Sequence, residues 1–157
     1  MATVIVNARK RGHEREGLAR VATGTIELAS QGNADVIGIT DEVAEAIRQT
    51  GLSDGTVTVF VPGATGAVTT LEHEPGVVHD VQELLDTITP PDRDYLHNVN
   101  LGDGNGHSHV RAGLLGPSLT VPFVDGRLTL GRYQSIVFCD FDTRPRQRSI
   151  VVQVMGV

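Results

Sequence analysis

Apolar and polar positions repeat with two different periods along the chain, and each change of period marks a new element. Thr25-Ile26-Glu27-Leu28 alternates residue by residue, as a half-buried strand does, and Ser30 to Asn33 reads as a turn. From Ile39 the apolar positions move to helical spacing through Val43, Ala46 and Ile47. Thr40 is placed as the N-cap, Asp41 and Glu42 complement the helix dipole, and Gly51 is the stop, so this helix is expected to pack on a sheet. Gly55 to Pro62 alternates Val57, Val59 and Val61 against Thr56, Thr58 and Phe60, which predicts a central strand covered on both faces. After the Pro62-Gly63 turn, Ala67 to Glu72 predicts a second strand, positioned to be the antiparallel partner of the first.

The helical period returns at Pro75, with Val77, Val78, Val81, Leu84, Leu85 and Ile88 on one stripe until Pro90-Pro91 ends it. His79 falls on the polar side of this longest helix with Asp80, Glu83 and Asp86. Pro91 to Tyr95 reads as a linker. Ser108 is the expected N-cap of a short helix over His109 to Leu115, closed by Gly116-Pro117. Ser118 to Pro122 and Arg127 to Leu130 flank an Asp125-Gly126 hairpin turn, and Ser135 to Phe141 and Ser149 to Met155 are further strands joined by the basic turn Thr143 to Arg148. Many strands with few helices predict an α+β fold of mainly antiparallel β-sheets packed with two longer helices and one short helix.

Length and charge narrow this picture. A chain of 157 residues suits one core. We divide it into a basic N-terminal arm, 1–22, and a single domain, 23–157. The arm carries Arg9, Lys10, Arg11, Arg15 and Arg20 against Glu14 and Glu16, a net +3 within a chain of net −6, so the remainder carries −9. That acidic body argues against nucleic acid as a partner, since such binding relies on basic side chains at phosphates. No apolar run approaches the roughly 18 residues of a membrane span, and the N-terminus has no long apolar region of a signal peptide, which gives cytoplasmic as the expected location. The lone cysteine, Cys139, lies in the apolar run Ile136-Val137-Phe138-Cys139 and is expected to be a buried structural thiol.

Candidate chemistry gathers in His97 to Ser118. His97 stands ten residues before His107, with His109 beyond, and Gly102-Asp103-Gly104-Asn105-Gly106 between them supplies positive-φ positions able to fold His97 back on the other two. Three imidazoles are a plausible donor set for zinc or a similar divalent ion, leaving a coordination position open. With one cysteine the spacing is not that of a zinc finger. The short helix would present free amides beside the histidines, with Arg111 one turn in, a place for phosphate or carboxylate. The Glu72-His73-Glu74 triplet at a strand end is a further candidate for contact with a metal or substrate.

From about Thr25 to Gly156, through ITDEV, GTVTVFVPG, TTLEHEPG, YLHN, GDGNGHSHVRAGLLGPSLTVPF, DGRLTLGRYQ and SIVVQVMG, the chain resembles the YjbQ-like family, also called secondary thiamine-phosphate synthase enzymes. The resemblance implies a compact YjbQ-like fold assembling as a homotrimer, with a histidine-rich metal site near subunit contacts. It implies His97, His107 and His109 as metal ligands to zinc, or to magnesium for pyrophosphate chemistry. Glu72, Asp103, Asn105, Ser118 and Gln134 are placed around the pocket, the first three with Arg111 on the catalytic side and the last two on the substrate side. Two departures stand out: Gly63 occupies a position where many members have histidine, and Gly131-Arg132-Tyr133-Gln134 replaces GTWQ. The implied reaction joins hydroxymethylpyrimidine pyrophosphate to thiazole phosphate and releases pyrophosphate, with a divalent cation, Arg111 and the helix amides stabilising the leaving group. The same histidines would equally serve a metal-dependent hydrolase or phosphoesterase, and a non-catalytic ligand-binding trimer would keep them for structure.

Overall fold

A computed structural model describes residues 16–157, so most of the basic arm lies outside the described residues. The arm's last residues are already sheet. β1 runs Arg20–Ser30, far longer than the four-residue alternation predicted, because it pairs along its whole length with the C-terminal strand β8, Arg146–Gly156. Between them come β2 (Asp35–Gly38), α1 (Thr40–Thr50), β3 (Gly55–Phe60), β4 (Gly66–Leu71), α2 (Pro75–Ile88), α3 (Leu96–Leu101), α4 (Gly106–Leu115), β5 (Ser118–Val124), β6 (Arg127–Leu128) and β7 (Ser135–Asp140). The α+β class and the antiparallel pairing are as predicted; β2 and α3 are additional to the predicted elements.

The strands form two antiparallel sheets, one in the order β1-β8-β3-β5-β6 and one in the order β2-β7-β4. β3 is central, with β8 and β5 on its two sides. It is covered on one face only. Val57 and Val59 are buried, while Phe60 is exposed and Thr58 shares a 2.9 Å hydroxyl contact with Thr120 on the outer face. Strict alternation of Val and Thr is thus the mark of a one-sided strand here. The strand sandwiched on both faces is β7, whose unbroken run Ile136-Val137-Phe138-Cys139 is wholly buried. β4 pairs with β7 and not with β3, so the Pro62-Gly63 turn carries the chain from one sheet to the other.

Three layers result. Ile136 and Phe138 of β7 meet Val57, Val59, Val121, Phe123, Val152 and Val154 of the larger sheet, together with Val43 and Ile47 of α1. On its other face β7 offers Val137 and Cys139 to Leu85 of α2 and Ala112 of α4. Burial pushes the Cys139 thiol up to about 12, consistent with a structural thiol. Ile39, not Thr40, occupies the N-cap position of α1, and the Thr40 hydroxyl instead accepts from the Ile136 amide at 2.9 Å, tying the helix start to β7. No helix among the described residues is long and apolar enough to cross a membrane.

Candidate metal centre

Two short helices and the loop between them build the site. Tyr95 is buried and leads into α3, which carries His97; Gly102 closes that helix at φ 72°, and Gly104 turns the chain again at φ 69°. α4 then starts at Gly106, whose amide donates to Asn98 Oδ1 at 2.8 Å. The two helices approach so closely that a Cβ on Gly106 would stand 2.5 Å from Tyr95 Cβ. The predicted glycine turns therefore do fold His97 back, and it meets His109 with ring centroids 4.4 Å apart at 63°.

The ligating atoms of His97, Asp103 and His109 lie within 4.8 Å of one another. His97 Nε2 is 3.1 Å from Asp103 Oδ1 and 3.2 Å from Oδ2. The end of the Asn105 amide stands among them, 3.0 Å from His97 Nε2, 3.2 Å from His109 Nε2, and 3.1 and 3.2 Å from the Asp103 oxygens. With its nitrogen turned inward, Asn105 donates to these acceptors. With its oxygen inward, Asn105 adds an amide oxygen to the His97, Asp103 and His109 atoms, a donor set able to hold a cation. His109 Nδ1 lies 2.9 Å from the Ala64 carbonyl, and donation there leaves Nε2 as the unprotonated atom facing the cluster. Two imidazole nitrogens, a carboxylate and an amide oxygen fit zinc or a comparable transition ion; magnesium prefers an all-oxygen shell.

The sequence candidates divide sharply. His97, Asp103, Asn105 and His109 come together. His107 does not join them: it is 4% exposed, turns away beneath α4 with its ring 6.3 Å from that of Tyr95, and its Nδ1 has no hydrogen-bond partner among the described residues. Positions two apart on a helix point about 200° apart, so His107 and His109 project from nearly opposite sides of α4. Burial pushes the His107 pKa down, Arg111 and His109 add to the effect, and Asp86 opposes it. Ser108, expected as N-cap, is buried in the first turn, and its Oγ is also without a partner among the described residues.

Arg111 is 2% exposed and committed elsewhere. Its Nη2 reaches Asp86 Oδ1 at 2.7 Å and the Thr89 carbonyl at 2.8 Å, and its Nε donates to Thr89 Oγ1 at 3.0 Å, so it clamps α4 onto the end of α2. The α4 amides are engaged too, Gly106 with Asn98 and those of Ser108 and His109 with the Asn105 carbonyl. The anion-binding helix start expected from the sequence is therefore internally satisfied at these positions. Glu72 is exposed just past β4 and lies outside the ligand group. Its neighbours hold structure: His73 Nε2 is 3.3 Å from the Val36 carbonyl, and Glu74 caps α2 by accepting from the Gly76 and Val77 amides. Ser118 opens β5 opposite Phe60. Gln134 accepts from the Gly131 amide and donates to Thr70 Oγ1, fastening a turn to β4.

Residues 24–157 match the family described as "UPF0047 protein YjbQ-like". A UPF0047 protein of Methanothermobacter thermautotrophicus is 37% identical over 136 residues, covering 87% of this chain and 93% of that protein. YugU of Bacillus subtilis, another UPF0047 protein, is 30% identical and covers 84% of this chain and 98% of its own length. Among solved structures, a YbjQ-like protein of unknown function from Sulfolobus solfataricus superposes with a TM-score of 0.84 at 29% identity, covering 89% of this chain and all of that one. A yjbq/upf0047 family protein of Clostridium acetobutylicum gives a TM-score of 0.77 at 34% identity, covering 83% of this chain and 98% of that one.

Proposed function

This chain belongs to the YjbQ-like UPF0047 family, and from that premise we propose that His97, Asp103, Asn105 and His109 hold a divalent metal ion, zinc by its donor set, at which a small phosphorylated substrate reacts. The observation that carries this reading is the convergence of the His97, Asp103 and His109 ligating atoms within 4.8 Å of one another beside the Asn105 amide, with the Ala64 carbonyl 2.9 Å from His109 Nδ1 and so placed to receive its proton. A bound divalent ion supplies Lewis acidity toward phosphoryl or pyrophosphate oxygens. The chain's own residues do the rest: the two helices fix ligand orientation, and the partly exposed His97 and Asp103 leave the cluster open to a substrate.

The specific reaction we assign is thiamine-phosphate synthase chemistry, in which the pyrimidine carbon passes to the thiazole nitrogen and pyrophosphate leaves. The assembly that goes with it is a homotrimer. With Arg111 bound to Asp86 and Thr89, Arg111 takes no part in stabilising the pyrophosphate. That same commitment favours a second reading, metal-dependent phosphoester hydrolysis, which needs water and a proton acceptor and makes no demand for a second substrate.

Metal analysis of the purified protein by mass spectrometry tests the centre, alongside His97→Ala and His109→Ala variants shown to be folded by circular dichroism. We expect near-stoichiometric metal in the parent and loss in both variants. A parent that stays metal-free after incubation with zinc overturns the reading. Pyrophosphate release only when both substrates are present supports the transfer; release of phosphate from a single ester assigns hydrolysis.

A further inference from the structure

We infer that Thr65 and Arg148 are positioning residues for His109, fixing the Ala64 carbonyl that selects which imidazole nitrogen faces the metal centre. The inference rests on the metal-centre reading above but concerns residues outside it.

Ala64 belongs to the loop between β3 and β4, and such a loop would ordinarily be a poor place from which to hold a metal ligand in one tautomer. Here it is held from several sides. Thr65, the next residue, is buried; its carbonyl accepts from the Phe141 amide at 2.8 Å and its hydroxyl accepts from Arg148 Nη2 at 3.0 Å. Arg148 is itself locked as a fork on Asp140, with Nε to Oδ2 at 2.7 Å and Nη2 to Oδ1 at 2.6 Å. Asp140 is fully buried and also accepts from Ser30 Oγ and the Asp142 amide. Hydrogen bonding to Asp140 raises the Arg148 pKa against the opposing effect of burial, so the fork stays charged.

The loop is also tied to the helix that bears His109. The Val61 amide donates to the Pro117 carbonyl at 2.8 Å and the Val68 amide to the Gly116 carbonyl at 3.1 Å, both just past the end of α4. Both sides of the loop are thus tied to the C-terminal end of α4, and the 2.9 Å contact from His109 Nδ1 to Ala64 adds a tie to the body of the helix. A planar guanidinium suits this task because one rigid group satisfies a carboxylate with two donors and still reaches a hydroxyl. Removing Arg148 or Asp140 outright would leave its partner as a buried unpaired charge, so the informative change is at Thr65, where the hydroxyl alone can be deleted.

The test compares Thr65→Val, which keeps the volume and loses the acceptor, with Thr65→Ser, which keeps the acceptor. Nitrogen-15 NMR of the His109 ring in metal-free protein reads the tautomer, and zinc competition titration reads affinity. We expect a single Nδ1-protonated tautomer in the parent, a mixture in Thr65→Val with affinity lower by about tenfold, and recovery of both in Thr65→Ser. Arg148→Lys, which keeps the charge but not the fork, is expected to mix the tautomers as well, and serves if Thr65→Val does not fold. A parent-like tautomer and parent-like zinc affinity in Thr65→Val and Arg148→Lys overturn the inference. Failure of the parent to bind zinc would instead strike the metal-centre reading, since the tautomer is read without metal.

Discussion

His97 and His109 stand edge to face with ring centroids 4.4 Å apart, although they come from different helices and twelve positions separate them in the chain. Their approach depends on the absence of a side chain at Gly106, where an added Cβ would meet Tyr95 Cβ at 2.5 Å and Asn98 Oδ1 at 2.9 Å. Gly106→Ala is therefore expected to wedge α3 from α4, lowering stability by about 1–3 kcal/mol and weakening metal binding together with it. Urea denaturation and zinc titration on the same variant check both effects; unchanged values for both would show that the helices reach the same geometry without this close approach.

Asn105 is able to serve the cluster in either state, donating through nitrogen without metal and accepting through oxygen with it. Replacing it by Asp removes the donor and adds a second carboxylate beside Asp103. Metal-free Asn105→Asp should unfold at a lower temperature than the parent, and zinc should raise its melting temperature by a larger increment. Differential scanning calorimetry with and without zinc measures the two increments, and equal increments would contradict the amide's double role.

Arg111 is a structural residue by its contacts, and its loss should be visible as instability. Arg111→Met leaves the buried Thr89 acceptors without a donor and is expected to cost about 1–3 kcal/mol while metal content per folded chain stays at the parent value. Mass spectrometry of the folded fraction checks the second half of this expectation. Loss of metal without loss of stability would return Arg111 to the site.

His107 is buried with a depressed pKa, so the unfolded chain binds a proton there more readily than the folded one. Its contribution to stability is in place above the unfolded value near 6.5 and is lost as pH falls below it toward the lower folded value. Metal-free protein should accordingly lose stability between neutral pH and about pH 5, and His107→Gln should flatten that slope. Chemical denaturation in the presence of a chelator at several pH values measures it, and an unchanged slope would assign the acid sensitivity elsewhere.

Much of the fold is written locally. The alternation of Val57 and Val59 with threonine makes β3, the Pro75 stripe makes α2, and Gly102 and Gly104 make the turns that return His97. The burial of Cys139 also follows from its neighbours in an unbroken apolar run, since a strand that is apolar on both faces has nowhere to lie but between layers. Glu74 as a cap was legible in principle, because an acceptor side chain immediately before a proline-led helix start is a capping signal, but its neighbour Glu72 draws attention first.

What only the tertiary structure decided is which side chains face one another. Sequence spacing brings the loop from His97 to His109 together but cannot choose between His107 and His109, because that choice depends on the rotation of α4 against β4 and α2, set by burial of Ala112 and the Arg111 clamp. The assignment of Arg111 to structure and of Arg148 to the support of His109 rests on partners more than twenty and eighty positions away, Asp86 and Thr65. Local period and turn chemistry fix elements because they act within a few residues; partner choice among equally polar side chains is settled by long-range packing, which enters the sequence only as the sum of all its burials.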